Sequence, residues 1–338
     1  MNFCVSLAPV KQKVVKALEY TLTSLLALAL LYFAFGKLDW KAFVDGLLQT
    51  SWFWVAASVA ASLGALFFRA ERWRDMLLPL DGNISRKKVW DAYNFGNFCS
   101  VFVPGVGEIV RAGAVSTKKT GYDRAFGTAV MERAWDLVAI AVIFVAAIVS
   151  KHKTLGTFVE DSLISPVAQK LSLWWIVVLL VLVGAAALFA VYHWRGSSKL
   201  CGKMADFIDG ILQGLKAFKD VRHKGKFILL TVAVWACYIL MSLFVFKAMP
   251  GLEHLDFGDA LLVSAIGNLA SVIPVPGGLG AYHYLVALTL STLYGSTWES
   301  GLLFATLTHE TRSLLLIVVA AISYVSVLVA RSSTKTKQ

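Results

Sequence analysis

Charged residues are scarce in this chain of 338 residues: only 16% are Asp, Glu, Lys or Arg, whereas 58% are hydrophobic. The mean hydropathy is correspondingly high, at +0.69. A soluble protein of this size cannot bury so much apolar surface. The composition therefore excludes an ordinary water-soluble domain and predicts an integral membrane protein.

Sequence patterns of several enzyme classes are also missing. The four cysteines, Cys4, Cys99, Cys201 and Cys237, lack the spacing of a redox or metal site. No G-x-x-x-x-G-K-[ST] segment marks a P-loop ATPase, and neither a nucleophile elbow nor a zinc pattern of His and Cys occurs. No polar stretch is long enough for a catalytic domain. We therefore expect no cofactor and no metal, and a transporter rather than an enzyme.

Long apolar runs, in contrast, are present six times. Each approaches the length of about 20 residues that a helix needs to cross a bilayer. Because lipid offers no hydrogen-bond partner to the backbone, these runs are expected to be helical. The sequence thus predicts an all-α polytopic membrane protein with spans at Leu18–Phe35, Trp52–Phe68, Phe126–Val149, Leu173–Tyr192, Phe227–Met249 and Leu302–Val329.

Basic residues are unevenly distributed and account for the net charge of +11. Of the 32 Lys and Arg residues, 23 lie before the first span, between spans two and three, between spans four and five, or after span six, when Arg124 is assigned to the end of span three. By the positive-inside rule these segments, and both termini, are cytoplasmic. The basic charge therefore indicates orientation, and we expect no nucleic-acid partner.

Two short apolar segments broken by Pro and Gly share the pattern G-N-x-x-S-V. The first is Gly96–Val101, continuing to Glu108, and the second is Gly267–Val272, continuing to Gly280. Corresponding interrupted segments in two halves of a membrane protein are typical of a transport site. Basic residues flank the first on both sides, and neither Lys nor Arg occurs in 251–311. We predict two re-entrant hairpins; the alternative is two ordinary kinks in full spans.

This plan divides one domain, residues 1–338, into two similar units. Each unit, at about residues 18–150 and 173–330, holds two spans, a re-entrant hairpin and a third span. Three crossings per unit turn the second unit upside down, which is the inverted-repeat architecture of many transporters. Within a cytoplasmic segment at 198–220, apolar and charged residues of Leu200–Phe218 occupy opposite faces of a helix. This pattern predicts an amphipathic helix on the membrane surface.

Three ionisable residues interrupt the third span. Glu132, Arg133 and Asp136 fall within about one-third of the helix circumference, and Arg133 can pair with Asp136. Each charge in a span costs at least ~2.5 kcal/mol on insertion scales, so such groups face a bundle interior or a wet cavity. We predict the wall of a polar cavity. The alternative is an internal salt bridge that locks helices together.

The sixth span carries His309-Glu310-Thr311-Arg312. Glu310 takes the place of Glu132 when the two units are aligned. Glu310 and Arg312 point about 200° apart, so they are not expected to pair. His309 is interpreted as a satisfied interior histidine, with coupling of transport to protons as the alternative.

A candidate anion site follows the first broken segment. Gly107 precedes an apolar periodic run, which favours a helix N-terminus whose free N–H groups suit a phosphate. Arg111 lies one turn further on, and Arg72 is expected nearby. Glu108 would repel an anion there, so we expect it to pair with Arg111 or to cap the helix.

Four motifs, taken in order, resemble a known family. They are Arg69-x-x-Arg72-Trp73, Asn97 with Pro104-x-x-Gly107-Glu108-x-x-Arg111, Glu132-Arg133-x-x-Asp136, and Pro274-x-Pro276-Gly277-Gly278-Leu279-Gly280. Together they cover nearly the whole chain and are similar to the lysylphosphatidylglycerol synthase transmembrane region, the flippase-like domain of aminoacyl-phosphatidylglycerol synthase/flippase proteins. The chain departs from this pattern at His283, where relatives often have Glu, and at Val106, where many have a basic residue.

The resemblance implies a multi-pass protein of the bacterial inner membrane that moves a lipid or lipid-linked group between leaflets. This sequence lacks the domain that attaches the amino acid in fused members, so lysyl transfer is not expected. The implied partners are phospholipids or polyprenyl-phosphate-linked lipids. The alternatives are a membrane-embedded transferase with Glu132 or Asp136 as base, and an anchor for a separately encoded synthase or glycosyltransferase.

In the leading interpretation, arginines attract the lipid phosphate, acids balance charge, and glycines allow close backbone approach. The residues that we expect to bind substrate are Arg72, Asn97, Glu108, Arg111, Glu132, Arg133, Asp136, Asn268, Pro276, Gly277, Gly278, Gly280, His283, Glu310 and Arg312. None is expected to be catalytic.

Overall fold

The computed structural model describes residues 21, 24–36, 38–103, 105–151, 182, 186–198, 201–202, 204–205, 208–209, 217–270 and 275–335. Side chains at 217, 220 and 327–335 are not described. The described part contains helices and turns but no strand, which confirms the all-α prediction.

Ten α-helices have described bounds, and two 3₁₀ turns accompany them at Ala217–Asp220 and Pro276–Gly278. The described residues 186–193 are also helical. In chain order the helices are α1 (Ser24–Phe35), α2 (Trp40–Gln49), α3 (Trp52–Leu77), α4 (Arg86–Phe102), α5 (Val106–Val115), α6 (Tyr122–Ser150), α7 (Lys224–Ala248), α8 (Phe257–Leu269), α9 (Ala281–Tyr294) and α10 (Trp298–Lys335).

Four of these helices are long and apolar enough to cross a membrane: α3, α6, α7 and α10 over Trp298–Ser326. They correspond to four of the six predicted spans. The predicted span Leu18–Phe35 is described only in the short apolar helix α1. The predicted span Leu173–Tyr192 and the amphipathic segment Leu200–Phe218 lie mostly outside the described residues.

The helices α3 and α7 run antiparallel at the centre of the bundle. At one end the Ser51 N–H donates to the Ala248 carbonyl at 2.8 Å. At the other end Lys226 pairs with the buried carboxylate of Asp75 at 2.7 Å. The α3 helix continues nine residues beyond the apolar run predicted for it, and this extension carries the arginines of the site.

The first broken segment forms the antiparallel pair α4 and α5, joined through Gly105 at φ 80°. A Cβ added at Gly107 would overlap the Gly96 backbone, so the two helices are in direct backbone contact. The Lys88 Nζ donates to the Val115 carbonyl at 3.3 Å. The end of α5 therefore lies beside the start of α4.

The second broken segment forms the pair α8 and α9. A reciprocal capping box between Asp256 and Asp259 begins α8, with N–H to carboxylate distances of 3.0 and 2.9 Å. Tyr294, the last residue of α9, interacts electrostatically with both aspartates. This pair also ends near the level where it begins.

The two pairs begin at opposite ends of α6. The α4/α5 pair ends at Val115, just before α6 starts at Tyr122. At the far end of α6, Lys151 pairs with Asp256 at 2.9 Å and with Asp259 at 2.7 Å. The hydrogen bond from Lys151 lowers the pKa of Asp256 to about 2.

The breaks of the two pairs meet inside the bundle. A Cβ added at Gly277 would lie 3.5 Å from the carbonyl oxygen of Val101, near the end of α4. Gly277 has φ 61°, a conformation that side chains with a Cβ rarely adopt. The backbone conformation of the turn at Pro276–Gly278 therefore favours glycine at this position, where the turn contacts α4.

Candidate functional site

Five charged side chains from three helices converge in the bundle, and we call them the arginine cluster. The α3 helix supplies Arg69 and Arg72, α5 supplies Arg111, and α6 supplies Glu132 and Asp136. Residues three or four apart on a helix share a face, so α3 and α6 each present two of these groups to the same neighbours.

Glu132 is the centre of the arginine cluster. Its Oε1 lies 3.1 Å from Arg72 Nη2, and its Oε2 lies 2.5 Å from Arg111 Nη1. Asp136 receives a 2.6 Å hydrogen bond from Arg72 and also pairs with Arg69. Arg72 and Glu132 are both fully buried, which makes these contacts charge-assisted bonds in a low-dielectric surrounding.

Aromatic rings enclose Arg111. Its guanidinium carbon lies 4.7 Å from the ring centre of Trp73 and 5.0 Å from that of Tyr93. The Tyr93 hydroxyl also donates to Glu132 at 3.3 Å. Arginine stacks on aromatic faces more favourably than lysine does, so these rings hold a cation where lipid would otherwise exclude it.

The arginine cluster is not electrically neutral. Its three arginines and two carboxylates leave one excess positive charge. In the described part of the chain, the buried atoms Arg69 Nε, Arg72 Nε and Arg111 Nη2 also have no hydrogen-bond partner. An uncompensated buried charge and unused donors are both costly, and both favour an anion at this place.

A further cation reaches the cluster from the last span. The Arg312 Nη2 lies 3.4 Å from the Tyr238 hydroxyl, to which Arg69 donates at 2.9 Å. The Arg312 guanidinium also lies 5.0 Å from the Tyr238 ring centre. Arg312 forms no ion pair with a carboxylate among the described residues, so it adds to the positive excess.

The structure corrects two pairings that were predicted from helix spacing. Glu108 pairs with Arg133, at 2.6 Å from Arg133 Nε, rather than with Arg111. Asp136 pairs with Arg69 and Arg72 rather than with Arg133. The physical reason is that spacing along α6 permits an i, i+3 contact, whereas the arginines of α3 and the acid of α5 offer partners across the helix interface.

A second polar cluster lies beside the turn at Pro276–Gly278, and we call it the histidine cluster. It consists of His283 from α9 with His309 and Glu310 from α10. The His309 Nδ1 lies 2.8 Å from Glu310 Oε1, and His309 Nε2 lies 2.9 Å from the Gly277 carbonyl. The His283 Nε2 lies 3.6 Å from the same carboxylate oxygen. As predicted, Glu310 does not pair with Arg312.

The remaining predicted residues lie in the broken segments but not in either cluster's bonding network. The Asn268 side chain donates to the Ser264 carbonyl of its own helix at 2.7 Å. Asn97 is half-buried on α4. Pro276 begins the 3₁₀ turn, while Gly278 lies against His309 and Gly280 against the backbone of α1.

Sequence reasoning missed Arg69, Tyr93, Tyr238 and His309 as members of the site. Arg69 carries a detectable signal, because it lies one turn before Arg72 and therefore shares its face. The sequence alone favours a satisfied interior histidine at His309. The two tyrosines carry no signal of this kind, since a tyrosine near a helix interface is common in membrane proteins.

An apolar groove lies between α4 and α10, with a volume of about 450 Å³. It is lined by Phe95, Phe98, Ile317, Ala320, Ala321 and Tyr324. The same two helices are also joined through Lys87, which pairs with Asp91 at 3.4 Å and contacts Ser326. The groove itself has an apolar lining.

Comparison with known families gives one match. The family model described as "Lysylphosphatidylglycerol synthase TM region" matches residues 20–324. No curated protein and no solved structure matches the chain.

Proposed function

This chain belongs to the family of lysylphosphatidylglycerol synthase transmembrane regions, and from this premise we propose that the protein is a lipid flippase. The family is associated with lipid modification or flipping. The proposed substrate is a phospholipid or a polyprenyl-phosphate-linked lipid, which the protein moves between leaflets. We place it in the bacterial inner membrane with both termini cytoplasmic, in accordance with the distribution of Lys and Arg.

One observation carries the proposal: the arginine cluster holds more buried positive than negative charge. Arg72 and Arg111 are almost fully buried, yet among the described residues only Glu132 and Asp136 form ion pairs with them and with Arg69. A buried ion that lacks a partner costs several kcal/mol. A lipid phosphate would supply the missing negative charge and accept hydrogen bonds from the unused guanidinium N–H groups.

In this mechanism the phosphate competes with the carboxylates for the arginines. Without lipid, Glu132 and Asp136 keep the guanidinium groups paired. When an anionic headgroup enters, Arg111 and Arg72 exchange part of their contact with the acids for contact with phosphate. Because one set of donors serves both partners, binding is reversible and the headgroup can leave.

The two helix pairs provide the passage in this proposal. We propose that α4/α5 and α8/α9 are re-entrant hairpins in an inverted repeat with six spans. The contact between Gly277 and Val101 supports this architecture, as does the position of the two pairs at opposite ends of α6. Broken backbone at that depth is tolerated where it lines a cavity, which would let the headgroup cross while acyl chains stay in lipid.

The test is transport in proteoliposomes containing a fluorescent anionic phospholipid, with quenching from outside to follow exchange between leaflets. A hydrogen bond to a charged group contributes about 1.5–3 kcal/mol, so Arg111→Gln is expected to slow exchange by about tenfold or more. The matched control is Arg74→Gln, because Arg74 lies on α3 but bonds the Ile84 carbonyl outside the cluster.

Arg74→Gln should retain the exchange rate of the unmodified protein. Equal rates for both variants and the unmodified chain would reject the arginine cluster as the headgroup site. If the unmodified protein exchanges the lipid no faster than protein-free liposomes do, the proposed flippase function is rejected. Circular dichroism of each reconstituted variant separates lost transport from lost folding.

A further inference from the structure

The histidine cluster contains a hydrogen-bond arrangement that requires a positive ion. The Gly277 carbonyl can only accept, so His309 Nε2, at 2.9 Å from it, must carry a hydrogen. In the neutral ring the other nitrogen, Nδ1, then carries a lone pair. This lone pair faces Glu310 Oε1 at 2.8 Å.

Two lone pairs repel each other at that distance unless a cation lies between them. A proton on either His309 or Glu310 satisfies this pair alone. It does not account for His283, which is 2% exposed and has a ring nitrogen, Nδ1, without a hydrogen-bond partner among the described residues. Its other nitrogen, Nε2, lies 3.6 Å from Glu310, too far for a hydrogen bond.

A metal ion can take one donor atom from each of the three residues. One donor atom from each of His283, His309 and Glu310 lies within 4.8 Å of the other two. Around a tetrahedral ion with bonds of about 2.0–2.2 Å, neighbouring donor atoms are a little over 3 Å apart, so small rotations of these side chains suffice. Two imidazoles and one carboxylate are a donor set that suits Zn²⁺.

The surroundings of His309 resemble those of a metal ligand. Ligating histidines usually donate their second N–H to a carboxylate or backbone carbonyl, which fixes the ring and its tautomer. The Gly277 carbonyl accepts such a bond from His309. Glu310 keeps 38% of its side chain exposed, so protein does not cover this side of the cluster completely.

We propose that His283, His309 and Glu310 bind a divalent first-row transition-metal ion of the Zn²⁺ type. The ion connects α9 to α10 and, through the Gly277 carbonyl, to the turn of the second broken segment. Three protein ligands leave one position of a tetrahedral ion for water or an anionic oxygen. The proposal uses no residue of the arginine cluster, so it holds whether or not the chain moves lipid.

The test is metal analysis of the full chain, purified in detergent with an affinity tag that contains no histidine. The protein is stripped with a chelator, loaded with Zn²⁺ and desalted, and bound metal is measured by mass spectrometry. Competition with a chromophoric chelator gives the affinity. We expect about one ion per chain, since the three donors form a single site.

Mutation of a residue that hydrogen-bonds a metal ligand without touching the metal reduces metal affinity by about 10–100-fold. Mutation of a ligand itself should reduce the affinity by more. His283→Gln and Glu310→Gln are therefore expected to lose Zn²⁺ affinity by over about 100-fold. His254 is exposed and lies outside the cluster, so His254→Gln should bind Zn²⁺ with the affinity of the unmodified protein.

Two measurements keep the outcome independent of folding. His283→Cys retains a zinc ligand and should recover much of the affinity that His283→Gln loses. Co²⁺ loading should produce the visible absorption of a tetrahedral site in the unmodified protein and not in His283→Gln. Absence of stoichiometric metal, or equal binding by His283→Gln and His254→Gln, would overturn the proposal and leave a proton as the only cation.

Discussion

Replacement of Glu132 by Gln separates an anion-binding site from a purely structural salt bridge. Glu132 opposes Arg72 and Arg111 directly, with Arg69 Nε at 3.7 Å. The substitution keeps the size of the side chain but removes its charge. The net charge of the arginine cluster then rises from +1 to +2 in a buried place.

The expected magnitude follows from this charge count. Removing one partner of a buried ion network destabilises a protein by about 3–5 kcal/mol, because the remaining ions lose their compensation. In Glu132→Gln, however, Arg111 loses its carboxylate partner and Arg72 keeps only Asp136, so both guanidinium groups can bind an added anion. An anionic ligand at 100 times its dissociation constant stabilises the folded state by about 2.7 kcal/mol, which would restore half or more of the loss.

The assay is thermal unfolding of the purified chain in an uncharged glycoside detergent, with increasing amounts of a short-chain anionic phospholipid. The stability of Glu132→Gln should be low without the phospholipid and should recover more than that of the unmodified protein. Additional glycoside of the same chain length should have no such effect, because it supplies the apolar chain without the phosphate.

The matched control is Asp75→Asn. Like Glu132, Asp75 is a buried carboxylate, but it lies on α3 and its partner Lys226 is 40% exposed, so Lys226 can turn to solvent. This variant is expected to lose stability without gaining a response to the anionic phospholipid. If Glu132→Gln and Asp75→Asn respond equally to the phospholipid, the cluster is a structural lock and the reasoning from excess charge is wrong.

Two further predictions concern the framework. Gly107→Ala should destabilise the protein by about 1–3 kcal/mol, because the added Cβ would overlap the Gly96 backbone. Gly113→Ala should instead stabilise α5 by up to about 1 kcal/mol, because the space around Gly113 is open. Thermal unfolding measures both effects, and an unchanged stability of Gly107→Ala would contradict the close contact between α4 and α5. Chiefly through the hydrogen bond from Lys151, the pKa of the Asp256 carboxyl is lowered from 3.8 to about 2. The stability that this shift contributes is therefore complete above about pH 4 and is lost as the pH falls to about 2. Unfolding measured against pH should show this loss in the unmodified protein and a smaller loss in Lys151→Met, in which the hydrogen bonds between Asp256 and Asp259 remain.

Much of the fold follows from hydropathy alone. A bilayer of fixed thickness requires long apolar helices, so α3, α6, α7 and α10 are readable as runs of apolar residues. The positions of the two broken segments are readable for a similar reason. Pro and Gly interrupt helices by their own backbone chemistry, wherever the neighbouring elements lie.

The arginine cluster was only partly predictable. The sequence showed that Glu132 and Asp136 share a face of α6, because the helix period determines the direction in which each side chain points. It did not show which residue each acid meets. Arg69 and Arg72 come from α3, about 60 residues earlier in the chain, and only the packing of α3 on α6 places them opposite the acids.

The histidine cluster depends still more on tertiary structure. Alignment of the two halves equates Glu310 with Glu132, yet Glu132 lies among arginines and Glu310 lies among histidines. By itself the sequence determined a membrane protein of α-helices, with two broken segments and charges on its third and sixth predicted spans. Only the tertiary structure decided the partners of those charges, because a helix period defines directions around one axis, whereas contacts depend on the rotation and distance between axes.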